Sequence, residues 1–173
     1  MRTIPIVGIF NQFIQKNGWG LIALFSFLSL IFAYGAEYLA HVPPCRICSF
    51  QRLGFGGLFF LSVILYYWPR YRRYVGVMLI TLLIIMMGLS VYHVGLEQKW
   101  WSDIGICPNS IQKYTSIEEL KKMLWKQAKP KCGDVTWRIA SVSAVIWTLL
   151  LQIFLLILAF WTYRLQAPKH LQK

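Results

Sequence analysis

Charged residues are missing from four long stretches of this chain, and their absence constrains the fold more than any other feature. Between Lys16 and Glu37 lie 20 uncharged residues, and between Arg52 and Arg70 lie 17. Another 23 separate Arg73 from Glu97, and 25 separate Arg138 from Arg164. About 20 apolar residues in a helix cross the hydrocarbon core of a bilayer. The pattern predicts an all-α integral membrane protein, a bundle of four transmembrane helices with both chain ends on one side. Only 14% of the 173 residues are charged, against roughly a quarter in a soluble domain.

The expected helices cover about 17–38, 45–67, 74–96 and 137–163, in a single domain spanning 1–173. The second run is short unless its helix starts near Cys45, before Arg52. Residues 1–16 are expected as a cytoplasmic lead-in, 39–44 as a brief loop carrying Pro43 and Pro44, and 68–73 as a turn. The first run is long for a signal-peptide core, and "FAYGAEYLAHV" offers no convincing small-x-small cleavage site, so it is expected to remain as a helix.

The formal net charge is +12, but the basic residues flank the apolar runs. Contact with anionic lipid headgroups accounts for them, and no basic-aromatic nucleic-acid module is visible. The side holding the termini and "PRYRRY" carries eight Lys/Arg, and the other side ten. Seven of those ten are lysines spread along one long loop. The 68–73 turn instead packs three arginines into four residues, and short loops weigh more in the positive-inside rule. The termini are therefore expected in the cytoplasm.

The long loop, 97–136, contains "SIEELKKMLWKQ", with Ser116 and Glu119 in capping-box spacing. Ile117, Leu120 and Leu124 then recur at helical intervals. A short amphipathic helix is expected here, either on the bilayer surface or packed on the helix ends.

All four cysteines fall on the non-cytoplasmic side: Cys45 and Cys48 at the start of the second helix, Cys107 and Cys132 in the long loop. An even number gathered there suits disulfide chemistry in an oxidising compartment. Two other uses stay open. Zinc sites with four thiolates usually have two close pairs, whereas Cys107 and Cys132 are 25 apart, so no metal is expected. Two inert bridges are also conceivable, although two intervening residues close a small, strained ring of the exchangeable kind.

Pro43 and Pro44 suit the start of a helix, because a missing N–H is tolerated in its first turn. That places Cys45 and Cys48 where free N–H groups and the helix dipole favour a thiolate. Cys45, Cys48 and Arg52 share one face within about 60°. Arg52 lies one turn deeper than Cys48, close enough to hold its charge; the alternative is that it snorkels to headgroups. His93, in "VYHVGLE", lies one turn inside the same end of the third helix. It either faces the Cys48–Arg52 site or packs as a hydrogen-bonded interior residue. There is no C-x-x-C-H haem motif and no Rossmann glycine pattern; an acceptor dissolved in the membrane needs only a groove between helices, and a lipid quinone meets that description. Gly54, Gly56 and Gly57 either open such a groove or serve as close-packing positions.

"PPCRICSFQR", a loop with one cysteine near each end, and "PKCGDVTWRIASVSAVIW" leading into the last helix resemble the bacterial disulfide bond formation protein B (DsbB) family. The resemblance covers nearly the whole chain. It implies a protein-dithiol:quinone oxidoreductase of the inner membrane, with both termini cytoplasmic and the cysteines periplasmic. A periplasmic DsbA-like oxidase would attack the Cys107–Cys132 disulfide at Cys107. Cys132 would then exchange with Cys45, freeing Cys48 beside ubiquinone or menaquinone from the membrane pool. Arg52 would orient the quinone, and His93 falls where the family often has a histidine near it. A DsbA-type oxidant lies near about −120 mV, and about 30 mV corresponds to 1.4 kcal/mol for two electrons, so quinone reduction must draw the cycle forward.

The chain also departs from the pattern. Gln51 precedes Arg52 where relatives can have an acidic residue, and Pro108 follows Cys107. The basic loop favours a partner with an acidic surface. A quinone reductase of the vitamin K epoxide reductase type is the chemical alternative, although there the C-x-x-C follows the loop cysteines. A non-enzymatic membrane protein with structural disulfides is the other.

Overall fold

A computed structural model describes residues 5–42, 44–102, 138–139 and 142–166. Four helices dominate it: α1 (Pro5–Leu39), α2 (Arg46–Tyr67), α3 (Arg72–Glu97) and α4 (Ala144–Gln166). A single 3₁₀ turn, Pro69–Tyr71, joins α2 to α3. Each helix packs against two others, α1 and α3 both touching α2 and α4, so the four form a ring.

All four are long and apolar enough to cross a membrane, and only 22–28% of the most apolar stretch of each is buried by the protein itself. The rest presents Phe, Leu, Ile and Trp side chains outward, which only lipid can cover. The interior is a layer of Ile22, Leu58, Leu65, Leu79, Leu83 and Leu155, all fully buried. Small residues let the helices approach closely: Gly18 lies against Thr162, and Gly76 against Tyr163.

Two expected boundaries need correction. The first helix starts at Pro5 rather than near 17, so residues 5–16 of the supposed lead-in are helical. Its extra turns are held by the end of α4: Trp19 Nε1 donates to Gln166 Oε1 at 2.6 Å, and Gln166 Nε2 donates to the Gln15 carbonyl. The last helix starts at Ala144 rather than 137. Before it, β1 (Arg138–Ile139) pairs antiparallel with β2 (Val142–Ser143), a small addition to the helices among the described residues. Ser143 Oγ accepts from the Val145 N–H at 3.2 Å, which caps α4 at that point.

On the expected loop side, α3 ends in a Schellman arrangement. Lys99 takes the left-handed region at φ 59°, its N–H bonds the Leu96 carbonyl, and the Trp100 N–H bonds the Gly95 carbonyl. Trp101 then folds back, stacking on Tyr92 at 6.1 Å and donating Nε1–H to the Tyr92 carbonyl. Gly95 is required there, because a Cβ would collide with the Trp101 ring. The expected amphipathic helix and most of the 97–136 loop lie outside the described residues.

Candidate functional site: a thiol pair at a lipid-facing cavity

Pro44 and an extended Cys45 (φ −69°, ψ 172°) deliver the chain into α2. Cys45 is its N-cap, and the Sγ accepts the Cys48 N–H at 3.2 Å. The two sulfurs lie 2.8 Å apart as free thiols, Cys45 buried and Cys48 half-buried. Ile47, Leu96 and Tyr92 pack around the pair, so α2 and the end of α3 fix it together. From α3, His93 brings Nε2 to 3.8 Å from Cys45 Sγ. A hydrogen bond from the Cys48 thiol lowers the Cys45 pKa from 9.0 to about 4, with His93 adding to the effect and burial opposing it.

Arg52 is not a free cation at the bilayer edge. Its guanidinium pairs with Glu37 of α1 and donates to the Ala33 carbonyl at 3.0 Å. It also lies over the Tyr34 ring, 5.0 Å from the centroid. The preceding Gln51 turns into the bundle, where its amide donates to Ser90 Oγ at 2.8 Å. Ser90 in turn donates to Gln152 Oε1 at 2.7 Å, so one buried polar chain ties α2, α3 and α4 together.

A cavity of about 660 Å³ opens beside the thiols. Cys45, Cys48, Gln51, Arg52, His93 and Glu97 supply its polar wall. Most of the remainder is apolar and comes from α1 and the start of α4, with Phe55 of α2 and the hydroxyl side chains Ser29, Ser143 and Thr148 among it. Several wall residues, Leu28, Ile31, Phe32 and Trp147, are themselves exposed on the outer surface, so the cavity reaches the lipid face between α1 and α4.

The family model for "Disulfide bond formation protein DsbB" matches residues 15–162, most of the chain. The chain belongs to the DsbB family. Disulfide bond formation protein B 2 of Pseudomonas aeruginosa is 28% identical over 148 residues, covering 82% of this chain and 86% of that one. Disulfide bond formation protein B of Acinetobacter baumannii is 22% identical over the same shares. An uncharacterized protein of Rickettsia prowazekii is 27% identical over 158 residues, 88% of this chain and 92% of that one. With four spanning helices, this DsbB-family member is a multi-pass membrane protein with an oxidoreductase role in disulfide formation.

Of the residues expected to act, the structure gathers Cys45, Cys48, Arg52 and His93 around one cavity. Cys107 and Cys132 lie outside the described residues. Among the glycines of α2, Gly54 lies against Met86 and Gly57 against Leu82, as close packing requires, while Gly56 meets open space. All three line a second groove of about 1500 Å³, which shares Arg52 with the first. Sequence reasoning missed Glu37, which served there only as the end of an apolar run. Its signal was a lone acid eight residues before the C-x-x-C, with an arginine of opposite charge one helix on.

Proposed function

We propose that this chain reoxidises a periplasmic DsbA-like oxidase and passes the electrons to a membrane quinone. The observation that carries this reading is the cavity: it touches the thiols on one side and the lipid face on the other. Its residues suit a quinone ring. The volume accommodates one, the walls are apolar, and His93 Nδ1 is buried with no hydrogen-bond partner among the described residues.

In the proposed relay, the Cys107–Cys132 disulfide accepts two electrons from the partner's dithiol through a mixed disulfide with Cys107. Cys132, as a thiolate, attacks the Cys45–Cys48 disulfide at Cys45 and releases Cys48. The loop disulfide reforms, leaving the α2 pair reduced. A bound quinone, ubiquinone or menaquinone, supplies an acceptor for two electrons and two protons. Cys45 and Cys48 give up two electrons and any thiol proton they still hold as their disulfide returns, solvent supplying the rest of the two protons, so the chain itself ends unchanged. Arg52 holds a donor-rich cation at the cavity wall for a quinone oxygen, and Glu37 keeps that cation in place. His93 stands at hydrogen-bond range of Cys45 and holds or gives a proton there.

A multi-pass placement in the bacterial inner membrane, with cysteines periplasmic and termini cytoplasmic, follows from this reading. Trapping tests the relay. With Cys45→Ser and Cys48→Ser in this chain and the partner cut back to its one attacking cysteine, that thiol should open the Cys107–Cys132 disulfide and accumulate as a mixed disulfide with Cys107, leaving Cys132 as a free thiol. A partner that forms no mixed disulfide with this variant would leave the bridges as inert structural links.

A further inference from the structure

Cys45 Sγ, Cys48 Sγ and His93 Nε2 all lie within 4.8 Å of one another. We propose that the reduced pair and His93 together form a capture site for a thiophilic d¹⁰ cation of the Zn²⁺ class, which holds the site out of the cycle while bound. The binding itself rests only on the geometry; its regulatory effect rests on the function proposed above.

Zinc binds thiolate sulfur at about 2.3 Å and imidazole nitrogen at about 2.0–2.1 Å in a tetrahedron, which puts sulfur and nitrogen ligands about 3.6 Å apart. Cys45 Sγ and His93 Nε2 are 3.8 Å apart, close to that already. The two sulfurs, at 2.8 Å, need to separate by about 1 Å. Cys48 is half-buried in the first turn of α2, where its side chain has room to make that shift. Three protein ligands leave a fourth position, and the adjoining cavity is open to fill it. Glu97, one turn beyond His93, lines that cavity with a buried carboxylate oxygen lacking a partner among the described residues.

Binding is a proton exchange. One divalent cation forms two metal–sulfur bonds and one metal–nitrogen bond, and any thiol proton the pair still holds leaves to solvent. No electrons move. The oxidised pair has no thiolates to offer, so the cation binds only the reduced form and makes that form harder to oxidise. Soft thiolate and imidazole donors in this number favour zinc over hard cations.

The test uses the full chain in lipid nanodiscs with Cys107→Ser and Cys132→Ser, so that the α2 pair holds the only thiols. The protein is reduced, freed of reductant without oxygen, and titrated with Co²⁺ as the probe. One Co²⁺ per chain should bind with the intense visible bands of a tetrahedral thiolate site, and Zn²⁺ should displace it. His93→Ala and the closer-sized His93→Asn should each weaken binding at least about tenfold while retaining the helical circular dichroism spectrum. Unchanged binding in both His93 variants, or binding to the oxidised pair, would overturn the proposal. Quinone reduction by the same metal-free sample is scored separately. Cobalt binding without quinone reduction would remove the proposed quinone reaction and leave the metal site, and the reverse result would do the opposite.

Discussion

Arg52 meets the bilayer edge with its charge already answered. The Glu37 carboxylate, the Ala33 carbonyl and the Tyr34 ring all come from α1, so the arginine is aimed by a neighbouring helix rather than by its own. Arg52→Ala removes the cation, whereas Glu37→Gln keeps the cation and loosens it. With a polar contact between membrane helices worth about 1 kcal/mol, Glu37→Gln should raise the quinone KM about fivefold and change kcat less. Steady-state quinone reduction at varied quinone concentration measures the split. The thiols give a pH prediction at the same scale. The Cys45 pKa is lowered to about 4 from 9.0, chiefly by the Cys48 thiol. Its deprotonation therefore stabilises the reduced fold fully above pH 9, and this contribution fades as the pH falls to about 4. Alkylation of Cys45 in reduced protein should already be near its plateau at pH 6, and His93→Ala should move the rise to higher pH.

At the level of helices, one device fixes α2, α3 and α4 relative to one another, and a second closes α3 locally. The Gln51–Ser90–Gln152 chain is buried throughout, so Ser90→Ala leaves two amides without their partner. Unfolding in a denaturing detergent should show a loss of about 1–2 kcal/mol, within the range for buried polar groups in membrane proteins. The second device is the close of α3. Gly95→Ala should push Trp101 off Tyr92 and expose the indole, seen as a red shift of tryptophan emission. Lys99→Gly should instead be tolerated or stabilising, because glycine adopts the left-handed φ at no steric cost. The ends of the helices were only partly legible in the sequence. Charges mark where a run leaves the apolar core, so the four spans could be read directly. They do not mark where helical hydrogen bonding starts. Lys16 sits inside α1, and the apolar Ile139–Val142 segment reads as helix although Ser143 caps α4 only after it.

For the molecule as a whole, the order C-x-x-C, Cys, Cys across four spans carried the family reading, because that order survives in a linear sequence. The Arg52–Glu37 pair did not, since contacts between helices 15 residues apart have no signature in spacing along one helix. The proposed orientation is checked by reporter fusions. Alkaline phosphatase joined after Gln166 should be inactive and after Trp101 active, and the opposite pattern would invert the cysteines relative to the membrane. The central claim is that the α2 pair itself gives electrons to a quinone in the cavity between α1 and α4. The most direct test is a single turnover with the Cys107→Ser, Cys132→Ser protein, its remaining pair reduced and then mixed anaerobically with a soluble quinone analogue. One quinol should form per chain as Cys45–Cys48 closes, none with Cys48→Ser added, and turnover at half-saturating quinone should slow with Arg52→Ala. If the reduced pair forms no quinol, while the protein remains folded, the cavity is not a quinone site and the thiols serve another acceptor.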